Sequence, residues 1–183
     1  MAAGEAPNPR GPNDQLFAIS AGSPRNVWAV GERTFNGRPH TLVLHWNGRR
    51  WKLVASPSPA GRHSTLRGVV VVGRGNAWAV GSSTGAGGRR LLIEHWDGSA
   101  WHRVTAPSPS SYDLLSAVSA VSPTDIWAVG IDGQGPGKPL AEHWDGHAWS
   151  VSTTPPPLRV DSFSGVAAVS TGDVWAVGDS NAP

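Results

Sequence analysis

The stretch 114–152, LLSAVSAVSPTDIWAVGIDGQGPGKPLAEHWDGHAWSVS, decides the fold. It parses into four short runs, LLSAVSAVS (114–122), IWAVG (126–130), PLAEHW (139–144) and AWSVS (148–152), separated by SPTD, a glycine-rich loop and DG. Small apolar, β-branched and aromatic residues bounded by Gly, Pro and Asp are strand signals. Pro123 suits the second position of a type I turn, and Asp145-Gly146 offers the positive φ that a short hairpin needs. No helical period of 3.6 residues competes.

The same pattern recurs on both sides of this stretch. WAVG places tryptophans at Trp28, Trp78, Trp127 and Trp175, at spacings of 50, 49 and 48 residues. A second string follows three of them: LHWNGRRW at 44–51, EHWDGSAW at 94–101 and EHWDGHAW at 142–149. Four antiparallel strands repeated roughly every 45–50 residues predict a propeller rather than a helical solenoid. The expected fold is all-β: a β-propeller of four-stranded antiparallel blades, about three and a half of them. Complete blades are expected at 15–56, 66–106 and 114–154, and half a blade at 162–178. Residues 1–14 read as a flexible N-terminal segment.

These residues resemble kelch-type repeats, in which the second strand ends in glycine, the third carries an aromatic beside an acidic turn, and the fourth opens with tryptophan. The matching positions are Gly31, Gly81, Gly130 and Gly178, then Trp46, Trp96 and Trp144, then Trp51, Trp101 and Trp149. A single glycine stands where the family usually has two, so the likeness is kelch-like. The WAVG and HWDG strings are similar to those of actinobacterial propeller proteins. The resemblance implies a fold far more than a function.

Composition narrows the chemistry. There is no cysteine, which removes disulfide frameworks, thiolate metal sites and cysteine nucleophiles. No apolar run approaches the roughly 18 residues of a membrane span, and MAAGEAPNPRGPND lacks the apolar stretch of a signal peptide. The compartment is left open, with the extracellular side favoured. No G-x-S-x-G elbow, phosphate-binding loop or H-E-x-x-H string occurs, so catalysis has no positive signal and no cofactor is expected. His45, His95 and His143 share a repeat position, but equivalent sites in different blades lie too far apart for one ion, so no metal is assigned. Glu94 and Glu142 fall in different blades for the same reason and make no glycosidase pair.

A residue that recurs in every blade is most simply blade packing, so Trp28, Trp78, Trp127 and Trp175, with Trp46, Trp96 and Trp144, are read as the structural repeat core. Trp51, Trp101 and Trp149 open the outermost strand and are the candidates for stacking on sugar rings. Loops after the second and fourth strands share one face of the ring and vary between copies, whereas the opposite turns are short and nearly constant. Function usually resides in variable loops on a rigid scaffold. That face carries Arg33, Arg38, Arg62, Arg67, Arg89, Arg90, Lys138 and Arg159 against Glu32, Asp113, Asp132 and Asp161, about +4. Arg38, Arg62, Arg89, Arg90, Lys138 and Arg159 are therefore the candidate binding residues for an anionic or glycan partner. Nucleic acid is disfavoured, because no dense Lys/Arg run is interleaved with aromatics.

The reading is thus a non-catalytic binding or interaction module with a protein or glycan ligand. Its rivals are a tryptophan-stacking lectin and a fragment of a larger propeller enzyme, galactose-oxidase-like or glycan-active, with catalytic residues elsewhere. Three and a half blades do not close a ring, so either a longer chain or a homo-oligomer, a dimer being favoured, is expected to complete it.

Overall fold

The computed structural model describes residues 13–133, 137–154 and 160–180. The predicted N-terminal segment falls almost wholly outside the described residues. All regular structure is β. The first sheet contains β1 (Gln15–Ser23), β2 (Asn26–Phe35), β3 (Arg38–Trp46) and β4 (Trp51–Leu53). The second contains β5 (His63–Gly73), β6 (Asn76–Gly85), β7 (Gly88–Trp96) and β8 (Trp101–Val104). The third contains β9 (Leu114–Ser122), β10 (Asp125–Asp132), β11 (Lys138–Trp144) and β12 (Trp149–Val151). A two-stranded sheet, β13 (Ser162–Ser170) and β14 (Asp173–Asp179), comes last. Within each sheet, strands pair antiparallel in chain order, giving three full propeller blades and half of a fourth.

Two local features explain why the repeated strings look as they do. The first strand of each blade carries register shifts opposite the second, as between Leu66 and Gly68. There it brings a carbonyl against the WAVG glycine. A Cβ on Gly81 would lie 2.0 Å from the Thr65 oxygen, and the three equivalent glycines meet the same obstacle at 1.8 to 1.9 Å. No other residue fits, so glycine ends the string in all four copies. The DG turns are held from within: Asp97 Oδ1 accepts bonds from the Ser99 and Ala100 amides at 2.8 and 2.9 Å, and Asp145 and Asn47 repeat the arrangement. These donors hold the exposed Asp97 carboxyl well below its usual range, the Ser99 hydroxyl contributing most. Gly98 follows with φ near +98°, where glycine carries no Cβ penalty.

Blades pack face to face, because strand alternation gives each sheet two apolar faces. Between the first and second blades, Trp28, Val30 and Val43 meet Val69, Ala79, Leu92 and Trp101. Between the second and third, Trp78, Val80 and Ile93 meet Leu115, Ala128, Leu140 and Trp149. Side chains on the innermost strands stitch successive blades: the Val71 amide donates to Ser20 Oγ and the Ala168 amide to Ser119 Oγ, both at 3.0 Å.

The last interface differs. Val129, Ala141 and Phe163 are buried there, but among the described residues the fourth sheet consists of β13 and β14 alone, and Trp175 is 68% exposed. Trp175, expected in the repeat core from its WAVG string, is thus exposed among the described residues. Burial of these tryptophans requires a following blade, and none follows Trp175 among the described residues.

Candidate functional site

The tryptophans sort by what covers them. Trp28 stacks on His45 of its own blade at 4.3 Å and is closed by Trp96 at 4.9 Å and by the edge of Trp101 at 5.1 Å, both from the next blade. Trp78 repeats this with His95, Trp144 and Trp149 at 4.3, 4.8 and 5.5 Å. Trp101 and Trp149 are consequently only 4% exposed and present no ring face to a sugar. Their position at the start of a short outer strand pointed outward, but their side chains fold inward as lids over the preceding blade. Trp51, half-buried beside Trp46 at 5.9 Å, is the one glycan-stacking candidate that keeps open surface.

The recurring histidines anchor the same unit. His45 and His95 bond through Nε2 to the Asn26 and Asn76 side-chain oxygens, and His143 to Asp125 Oδ1, each at 3.0 Å. Burial pushes the pKa values of His45 and His95 down, which keeps the stacked imidazoles neutral. Burial also opposes the charge on Asp125, yet bonds from Thr171, His143 and Trp127 outweigh it and hold the carboxyl below its usual range. Among the described residues no three metal-ligating side chains gather.

Glu94 and Glu142 lie fully buried in successive blade interfaces. Burial pushes Glu94 up to about 8, with the Ser56 hydroxyl opposing in part. Burial, then the Asp113 charge, pushes Glu142 up to about 7. Asp113 is itself buried and accepts bonds from the Ser108 and Ser110 hydroxyls, which order the loop into the third blade.

Two recesses flank the joint between the first two blades. On the variable-loop face, Arg62, Arg90 and Arg103 surround a recess of about 240 Å³ whose other walls are Pro59, Ser83, Leu91 and Leu92. The Arg62 guanidinium is occupied: Nε donates to Ser83 Oγ at 2.9 Å, and Nη2 to the Ser83 and Gly88 carbonyls at 2.7 and 3.0 Å. Arg90 donates to the Ser110 carbonyl, and Arg89 lies 4.6 Å over the Tyr112 ring. Arg103 was not singled out from sequence. The signal lay in its position two residues after Trp101, which alternation places on the same side as the indole. Arg38 and Lys138 open the third strands of the first and third blades, exposed and away from this recess. Arg159 lies outside the described residues.

On the short-turn face, a larger cleft of about 650 Å³ is lined by Trp28, Trp96, Asn26 and His45 and rimmed by Arg25 and Arg74. Gly73, Gly75 and Gly98 complete its lining. Near-constant turns gave no reason to look there.

No family model matches the chain, and no curated protein matches it. Among solved structures, "YCF48 bound to D1 peptide" superimposes with a TM-score of 0.47 at 16% identity, over 74% of this chain and 39% of that one. A fucose lectin from Kordia zhangzhouensis in complex with methyl-fucoside also gives 0.47, at 11% identity, over 74% of this chain and 98% of the lectin. YCF48 from Cyanidioschyzon merolae gives 0.39 at 15% identity, over 88% and 63%. The chain is similar to these proteins in structure, and it spans well under half of the first.

Proposed function

We propose that this chain is a non-catalytic binding module that takes an anionic ligand on its variable-loop face. The observation that supports the reading most is the recess bounded by Arg62, Arg90 and Arg103, which has no acidic side chain in its lining. Arg62 is fixed by backbone and hydroxyl acceptors and acts as a scaffold, while Arg90 and Arg103 are the exposed cations of the lining. Guanidinium groups recognise carboxylate, sulfate or phosphate by paired N–H donors. Arg89, the neighbouring residue of β7, points to the opposite face of the strand, over Tyr112, and is not part of this recess.

The test uses dextran sulfate as probe, titrated by calorimetry at two salt concentrations. Arg90→Ala with Arg103→Ala weakens binding roughly tenfold and flattens its salt dependence, with an unchanged far-UV spectrum. Unchanged affinity in that variant overturns the reading.

A second reading rests on the turn-face cleft, where the half-buried Trp96, Asn26 and His45 meet two arginines, a mixture of aromatic and polar groups that suits a glycan. Arg25→Ala with Arg74→Ala separates the two. If this pair abolishes binding and the first pair does not, the ligand sits on the turn face.

A further inference from the structure

The recess bounded by Arg62, Arg90 and Arg103 has a buried acid beneath it. Glu94 is fully buried in the joint between the first two blades, and neither carboxyl oxygen has a hydrogen-bond partner among the described residues. The Ser56 hydroxyl beside it stabilises its charge in part but donates to Thr41 Oγ1 at 2.6 Å. At the same repeat position the first blade carries a leucine, Leu44, which is also buried. A carboxyl in such a place is costly unless it keeps its proton, and burial pushes Glu94 up to about 8.

Its place in the sheet ties it to the recess. Strand alternation puts Arg90, Leu92 and Glu94 on one face of β7, and the first two line the recess. Glu94 follows Leu92 on that face, about 7 Å further along the strand. Its partner across the ladder on β8 is Arg103, and directly paired positions hold their Cβ atoms about 5 Å apart. The two exposed cations of the lining thus flank the carboxyl from its own strand and from the next. The other charges around the joint are engaged or distant. From β2, Glu32 accepts a bond from Thr65 Oγ1, and from β5, Arg67 lies over Phe17. On β4, Lys52 sits across from His45 toward the short turns. The linker brings Arg62, bound to Ser83 and Gly88, and the exposed His63, while β6 sets only Ala79 opposite Glu94.

We propose that Glu94 makes anion uptake at this recess proton-linked, its neutral form leaving Arg90 and Arg103 to the ligand and its ionised form competing for Arg103. An ionised Glu94 also repels the anion directly, across a poorly solvated joint in which charges at this separation interact far more strongly than in water. Affinity is therefore highest where Glu94 holds its proton and falls as pH rises through about 8. Coupling is reciprocal, so the bound anion strengthens the hold of Glu94 on its proton, and binding near pH 8 takes protons up. This linkage rests on the reading of the recess as an anion site.

The experiment titrates the full chain with dextran sulfate, whose sulfate esters stay charged throughout, by calorimetry from pH 7 to pH 9, where histidines have already lost most of their charge. Affinity should fall about three- to tenfold over that interval with an unchanged far-UV spectrum, and paired buffers of different ionisation heat should report proton uptake at pH 8. Glu94→Gln mimics the neutral acid at every pH, so it keeps its pH 7 affinity at pH 9 and loses the proton uptake. Glu142→Gln, at the next joint, retains the wild-type fall. Absence of binding at pH 7 overturns the anion site and the linkage together. Binding that Arg90→Ala with Arg103→Ala weakens, but that is as tight at pH 9 as at pH 7, overturns the linkage alone. So does a fall that Glu94→Gln leaves intact, or one that Glu142→Gln removes equally.

Discussion

The joint between the second and third blades and the joint between the third and fourth are built from the same sequence strings but close differently. At the former, Trp78 is pinned between His95 and the Trp144–Trp149 pair and is 2% exposed. At the latter, the inner strands dock as before, with Phe163 and Val129 buried and Thr171 Oγ1 donating to Asp125 Oδ2 at 2.7 Å. Over Trp127, however, there is a cavity. A blade interface here is thus a two-part joint. Inner strands set the docking, and the outer hairpin of the following blade seals it with two indoles. Half a blade suffices for the first part and not for the second.

The largest effect that sharpens this contrast comes from the WAVG tryptophans themselves. Trp78→Ala should cost about 3–5 kcal/mol, as for other fully buried large side chains, whereas Trp175→Ala should stay within about 0.5 kcal/mol. Urea unfolding of the two variants measures both. Equal costs would mean that the last half blade is as tightly covered as the others.

A second contrast is in pH. Glu94 and Glu142 sit on third strands, so the first two joints carry a buried glutamate whose carboxyl is pushed up, whereas at the third the buried carboxyl is Asp125, held below its usual range by its hydrogen bonds. In the folded chain each glutamate keeps its proton to a pH well above the 4.5 at which it titrates when unfolded. Their contribution is fully present below that pH. It is lost as pH rises toward about 8 for Glu94 and about 7 for Glu142. Between pH 5 and pH 8 the chain should therefore lose on the order of a few kcal/mol of stability, and Glu94→Gln should remove much of that slope. Urea midpoints across that range decide it. A slope unchanged in the variant would show that Glu94 is not the titrating group.

The smallest expected effect is at the docking half of the last joint. Thr171→Ala removes the bond to Asp125 and should cost about 1 kcal/mol. The loss should appear as faster amide exchange in β13 and β14 and leave the first two blades unaffected. Exchange that rises across all four sheets would mean that the array unfolds as one unit.

Much of this architecture was legible in the sequence because its causes are local. Alternation, the DG turns and the glycine facing a first-strand carbonyl each depend on residues within one blade. Those features set the strand number, their order and the half blade at the end. The lids were less legible. Trp101 and Trp149 stand where a surface-stacking residue would, and nothing within their own blade says that they lie across the preceding one. Arg62 is similar: as a residue it reads as a free cation, yet Ser83 and Gly88, more than twenty positions later, occupy its donors.

By itself the sequence determined that this is an array of four-stranded blades and which turns and glycines it needs, since those are requirements of a single chain segment on itself. The tertiary structure alone decided which copies of one string are core and which are surface. Trp28, Trp78, Trp127 and Trp175 are identical in local sequence, and they range from sealed to bare. Burial is a property of two faces in contact, and the second face belongs to another blade.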